Sequence, residues 1–287
     1  MRGRDIKRYQ AKWADLWLIF IPWHFPLQDD NDIKGASIKA ENAFIENYPA
    51  IYSHLYSHRD RLSKRNKAET GIRYEWYALQ RYATTYYKEF EKEKIIYPNM
   101  TKYLPFIYDT KGYFINDKAF ILFGESLKYI VSLLNSKVIH FWLLIIFPEL
   151  QGGTRELRKI FFVNTPIPKI PMEQQQGFET LVNYILYLKP QQFEQVRDRL
   201  MSKYLEQVID GLVYELYFED LLKQHNRTVR EHLGELPSIE GKSETEKMAI
   251  VRTVFNRLDD KKHPVRNSLF YMKNIPEIAV IEEKTKM

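Results

Sequence analysis

The chain contains no cysteine among its 287 residues. Disulfides, thiolate metal sites and cysteine nucleophiles are therefore excluded. No Gly-x-Ser-x-Gly elbow, His-Glu-x-x-His helix or Walker-type loop occurs. That removes the common hydrolase, zinc-protease and phosphate-loop readings. Long apolar runs are also lacking: the stretch from Val138 to Phe147 is interrupted by His140 and is too short to span a bilayer. The polar start, Met1 to Arg8, is not followed by a signal-peptide apolar core. The expectation is a cytoplasmic protein with no membrane partner. Metal signals are equally thin. Asp29-Asp30-Asn31-Asp32 lacks the spacing of a calcium loop and reads as a loop with a helix start. His54 and His58 share a helix face, but no third ligand stands near them in sequence.

What is present supports a folded core: 45% of residues are hydrophobic and 15% aromatic, which excludes global disorder. Charge is unevenly placed. Residues 1–170 hold 26 Lys and Arg against 18 Asp and Glu, whereas residues 171–287 hold 17 against 19. A basic first part suits a polyanionic partner, with a solvated basic surface as the alternative.

In chain order, Arg2, Arg4, Lys7 and Arg8 crowd the start. Trp17 to Ile21 reads as a buried strand stopped by Pro22. Ile33 to Leu62 has helical spacing, and Pro49 is placed to open a second helix. A basic loop carrying Lys64, Arg65, Lys67 and Arg73 then runs into Tyr74, Trp76, Tyr77 and Arg81. Its cations suit phosphates or guanine edges, its tyrosines sugars or bases, and Trp76 the core. Tyr82 to Glu93 reads as a short polar helix. Lys94 to Tyr97 reads as a strand, followed by Lys102 in a loop. Phe106–Tyr108 and Tyr113–Ile115 read as strands around a turn at Gly112, with a further strand from Ala119 to Phe123. Ser126 is expected to cap a helix through Leu134, and Asn135-Ser136-Lys137 a second helix to Phe147. Gly152 and Gly153, with Arg155, Arg158 and Lys159, make a mobile basic segment before an expected strand at Ile160–Val163. Such a loop suits a phosphate backbone or a plain surface turn.

Beyond Met172 the pattern is helical. A long helix from Gln191 to Lys223 carries an apolar stripe at Phe193, Val196, Leu200, Tyr204, Val208, Leu212 and Leu216. Such a stripe must be covered by this chain or by another. Ser243 is expected to cap a helix to about Leu258. The fold class is α+β: a small mixed or antiparallel sheet with flanking helices over residues 1–171, a helical segment over 172–236, and a helical tail over 237–287.

Several local patterns coincide with one family. They are Arg2-Gly3-Arg4-Asp5-Ile6-Lys7-Arg8-Tyr9, Trp76-Tyr77-Ala78-Leu79-Gln80-Arg81, Lys94-Ile95-Ile96-Tyr97-Pro98 and Leu134-Asn135-Ser136-Lys137. Pro166-Ile167-Pro168-Lys169-Ile170-Pro171 and Ile209-Asp210-Gly211-Leu212-Val213-Tyr214-Glu215-Leu216-Tyr217 complete the set. In this order, over about residues 1–220, the chain resembles the TaqI-like C-terminal specificity domain. That is the target-recognition module of type IIG restriction–modification enzymes and adenine-specific DNA methyltransferases. The resemblance implies double-stranded DNA as partner. It also implies contacts from Arg2, Arg4, Lys7, Arg8, Lys64, Arg65, Lys67, Arg73, Tyr74, Tyr77, Arg81, Lys94, Lys102, Arg155, Arg158 and Lys159. It further implies that the chain begins where the catalytic domain of a full-length relative would end. The family's Asn/Asp-Pro-Pro-Tyr/Phe and S-adenosylmethionine loops do not occur here, nor does a nuclease acidic pair with its upstream partner. S-adenosylmethionine and magnesium are thus expected only with separate catalytic domains. A methyltransferase or nuclease subunit, or a second copy docked on the C-terminal helices, is the partner reading from a different class.

Overall fold

A computed structural model describes residues 1–81 and 86–286. About 49% of the chain is helical, with small antiparallel sheets and a helical C-terminal part, an α+β fold. The chain divides into two compact units. One comprises residues 1–14 and 91–287, and the other residues 15–90.

The larger unit is built on the strand β3 (Lys94–Pro98), every residue of which is buried. β3 pairs antiparallel with β5 (Ile107–Asp109) on one side and β6 (Ala119–Leu122) on the other. The N-terminal strands β1 (Ile6–Lys7) and β2 (Gln10–Ala11) form their own hairpin. It is tied down where the Tyr9 N–H donates to the Phe106 carbonyl at 3.1 Å. A third sheet joins β4 (Met100–Thr101), β7 (Glu149–Leu150) and β8 (Thr154–Glu156), with Thr101 opposite Arg155.

Helical packing reaches the β3 sheet through α4. α4 (Leu127–Leu134) and α5 (Lys137–Ile146) meet at a bend of 68°. At that corner the Ser136 hydroxyl accepts the Ile139 N–H. The same corner holds Asn135, whose amide bonds both the N–H and the carbonyl of Phe106 at 3.1 and 2.9 Å. Beyond it, α7 (Met172–Leu188) and α8 (Val196–Tyr217) continue the core together with α10 (Glu244–Leu258) and α11 (Pro264–Tyr271). α12 (Pro276–Lys284) is anchored by Glu282, which pairs with Lys137 at 2.6 Å and accepts from the Tyr214 hydroxyl at 3.1 Å. The α10 start has the expected capping box, Ser243 with Glu246.

The α8 stripe is covered within the chain over most of its length. Val208 and Leu212 are buried and Tyr204 stacks edge-on against Phe255 of α10, while Val196 and Leu200 stay exposed. Among the described residues no single helix is long and apolar enough to cross a membrane.

The smaller unit holds α1 (Ile38–Asn47), α2 (Pro49–Tyr56) and α3 (Arg59–Ser63), with Pro49 in the first turn of α2. Its core joins Phe44, Tyr74, Trp76 and Tyr77. Two carboxylates stitch it together. Glu75 accepts from the His24 and Ser37 backbone N–H groups, and Glu41 from Tyr52 and Trp76.

Several local expectations differ from what the structure shows. Trp17–Ile21 forms no strand; Trp17 is 85% exposed and, of these five residues, only Ile21 is buried. Tyr113–Ile115 is likewise not a strand; the partner of β3 beyond the Gly112 turn is β6. Ile160–Phe162 lies in the short helix α6 (Lys159–Phe162) with Val163 at its C-cap; a four-residue apolar run has no period long enough to separate strand from helix in sequence. Ser126 stands at the start of α4 with left-handed backbone, and its side chain makes no capping bond. The long C-terminal helix is broken at Phe218, after which α9 (Glu219–Gln224) begins. Of the expected helix Tyr82–Glu93, residues 82–85 lie outside the described ones, and Tyr87–Glu91 is a 3-10 turn.

Candidate nucleic-acid interface

The N-terminal segment creates the principal basic feature of the larger unit. Gly3 sits in a tight turn against the backbone carbonyl of Lys118, where an added Cβ would come within 2.7 Å of that oxygen. This close approach needs glycine, and it brings Arg2 and Arg4 beside the turn that carries Lys118. The N-terminal amine donates to the Phe114 carbonyl and the Met1 carbonyl accepts from Asn116. β4 contributes Thr101, and the loop after it Lys102 and Tyr103. Between them lies an open cleft of about 760 Å³ lined by Arg2, Arg4, Lys7, Arg8, Lys102 and Lys118, with no carboxylate in its lining among the described residues.

The cations differ in freedom. Arg2 donates through Nε and one Nη of its guanidinium to the two Asp5 oxygens at 3.0 Å, and this contact holds the Asp5 carboxyl below its usual range. Arg8 is directed inward: it donates to the Asn135 carbonyl and pairs with Glu206 at 3.3 Å. Arg4, Lys7 and Lys102 are exposed. Lys118 pairs with Asp117 at 2.6 Å across a solvated surface, where such pairs contribute little. Lys118 was missed in sequence because it joins the cluster through the Gly3 contact, 115 positions away in the chain.

The Gly-Gly segment is the turn of the β7–β8 hairpin, with positive φ at both glycines. Arg155 is held on the Phe147 carbonyl at 2.6 Å and on Glu149 at 3.0 Å. Arg158 is 63% exposed and pairs with Glu156 at 2.6 Å, and Lys159 is exposed at the start of α6.

In the smaller unit the basic loop splits into two roles. Arg65 faces inward, donating to the carbonyls of Leu62, Trp76 and Ala78 at 2.9, 2.8 and 2.7 Å. Lys64, Lys67, Arg73 and Arg81 are exposed. Arg73 and Arg81 converge on the Glu69 carboxylate at 2.9 and 3.6 Å. Arg73 also lies over the Trp23 ring at 5.6 Å.

Three expected contact residues are core groups. Tyr74 and Tyr77 are buried, Tyr77 donating to the Phe25 carbonyl at 3.1 Å. Lys94 is fully buried and paired with Asp109 at 2.6 Å. Asp109 also accepts the backbone N–H groups of Lys111 and Tyr113, so this pair fixes the β5 turn.

A cleft lined by long cationic donors and free of carboxylates suits a run of phosphates, with the neutral lining groups Thr101, Tyr103 and Asn116 able to meet bases. Comparison with curated proteins yields no match. Against protein families, residues 1–167 match the TaqI-like C-terminal specificity domain. The match spans more than half of the 287 residues and includes every residue of the cleft. The chain belongs to the family of TaqI-like C-terminal specificity domains, with a DNA-recognition role in restriction–modification enzymes.

Proposed function

We propose that the chain recognises a specific double-stranded DNA sequence as the target-recognition part of a type IIG restriction–modification enzyme or adenine-specific DNA methyltransferase. Catalysis belongs to a partner domain or subunit, which brings S-adenosylmethionine and magnesium. The observation that carries this reading is the carboxylate-free cleft with six cationic side chains in its lining. Arg4, Lys7, Lys102 and Lys118 hold phosphates and fix register, and the exposed Lys64, Lys67, Arg73 and Arg81 of the other unit add further contacts. Phosphate contacts position a protein on the duplex, and groove-facing groups supply the sequence preference. Arg8, Arg65, Arg155 and Lys94 are assigned to holding the fold instead, because each is at least partly buried as well as engaged by protein groups.

Selection from a randomised duplex library by the purified chain tests this. The expected result is an enriched motif whose affinity falls as salt rises. Absence of duplex binding at low salt overturns the reading.

A further inference from the structure

We propose that Tyr103 is a base-contacting residue, its ring meeting a base edge in the duplex groove while neighbouring cations hold the flanking phosphates. The proposal rests on the DNA-recognition reading and says which side chain of the cleft carries sequence information.

Tyr103 lines the cleft and is 62% exposed. Its backbone is nevertheless closely held. The Tyr103 N–H donates to the Thr101 hydroxyl at 3.0 Å. The next residue, Leu104, has left-handed backbone with φ of 44° and is buried, only 2% exposed. That conformation is costly for a branched side chain and persists only where its surroundings enforce it. Here they do: Pro105 is buried, and Asn135 grips both backbone groups of Phe106. Lys102 and Tyr103 therefore form a two-residue tip on a rigid mount, the kind of support a precise contact requires.

The cations of the cleft attract phosphates, which are the same in every sequence. Tyr103 offers what they lack: a large uncharged face for a thymine methyl group or base edge, and a hydroxyl that can donate or accept.

The test repeats the duplex selection with Tyr103→Ala, Tyr103→Phe and Lys102→Ala beside the wild-type chain. Tyr103→Ala is expected to lose roughly 5- to 150-fold on the preferred duplex. Its preference should relax at one or two adjacent positions, with the salt slope unchanged. Tyr103→Phe should keep the apolar contact and most of the affinity. Lys102→Ala should weaken all sequences alike and flatten the slope. A Tyr103→Ala chain that keeps the wild-type motif at full affinity, or that weakens every sequence equally, overturns the assignment and leaves DNA recognition standing. A wild-type chain that binds no duplex overturns both.

Discussion

Arg65 shows how one residue type serves two ends. In sequence it is another cation in a basic loop. In the structure its guanidinium spans three carbonyls and closes the Leu62–Ala78 turn. Burial pulls its pKa below the usual arginine value, as expected for a charge withdrawn from water. Arg65→Ala should cost about 3 kcal/mol in denaturant unfolding, since each orphaned carbonyl loses its donor. Lys67→Ala should change stability by less than about 0.5 kcal/mol. Binding losses at Arg65 would then report folding rather than contact. Asp210 gives a second residue-scale test. It is buried near Arg8, Lys137 and Glu206, and burial pushes its carboxyl up to about 6. A carboxyl raised above its unfolded value of 3.8 holds a proton that the unfolded chain has lost. Its contribution is therefore present below about pH 4 and lost as pH rises through about 6. Asp210→Asn should gain up to about 3 kcal/mol relative to wild type between pH 4 and 7. Chemical denaturation across pH checks this, and a pH-independent difference would contradict it.

At the level of elements, the N-terminal hairpin and α8 are joined through Glu206. It pairs with Arg8 at 3.3 Å and with Lys189 at 2.6 Å, and its side chain is 13% exposed. Glu206→Gln should destabilise the larger unit by roughly 2 kcal/mol, between the values for exposed and fully buried pairs. Thermal or denaturant unfolding measures it; an unaltered midpoint would remove the link. Elements with a local signature were legible in sequence. Pro49 opens α2, Ser136 caps α5, and Ser243 with Glu246 opens α10. Trp17–Ile21 was misread because its composition favours a strand, yet strand formation needs a partner edge that composition does not report. Which of the expected contact residues are exposed was not legible for the same reason. Nothing local distinguishes the buried Lys94 from the exposed Lys102, since the difference lies in Asp109 across the β3–β5 ladder.

For the whole molecule, the uneven charge acquires a location. Much of the excess in residues 1–170 gathers on the cleft and on the exposed basic loop, each within its own unit. The C-terminal helices serve the core, and from Tyr204 onward the apolar stripe of α8 is packed inside the chain. The measurement that bears most directly on the central claim is the salt dependence of duplex affinity for the wild-type chain and an Arg4→Ala/Lys102→Ala/Lys118→Ala variant. Each lost phosphate contact removes about 0.9 from the slope of log affinity against log salt. A slope shallower by about 2 to 3 is expected in the variant, with unfolding midpoints unchanged. Equal slopes and equal affinities in the two proteins would contradict it.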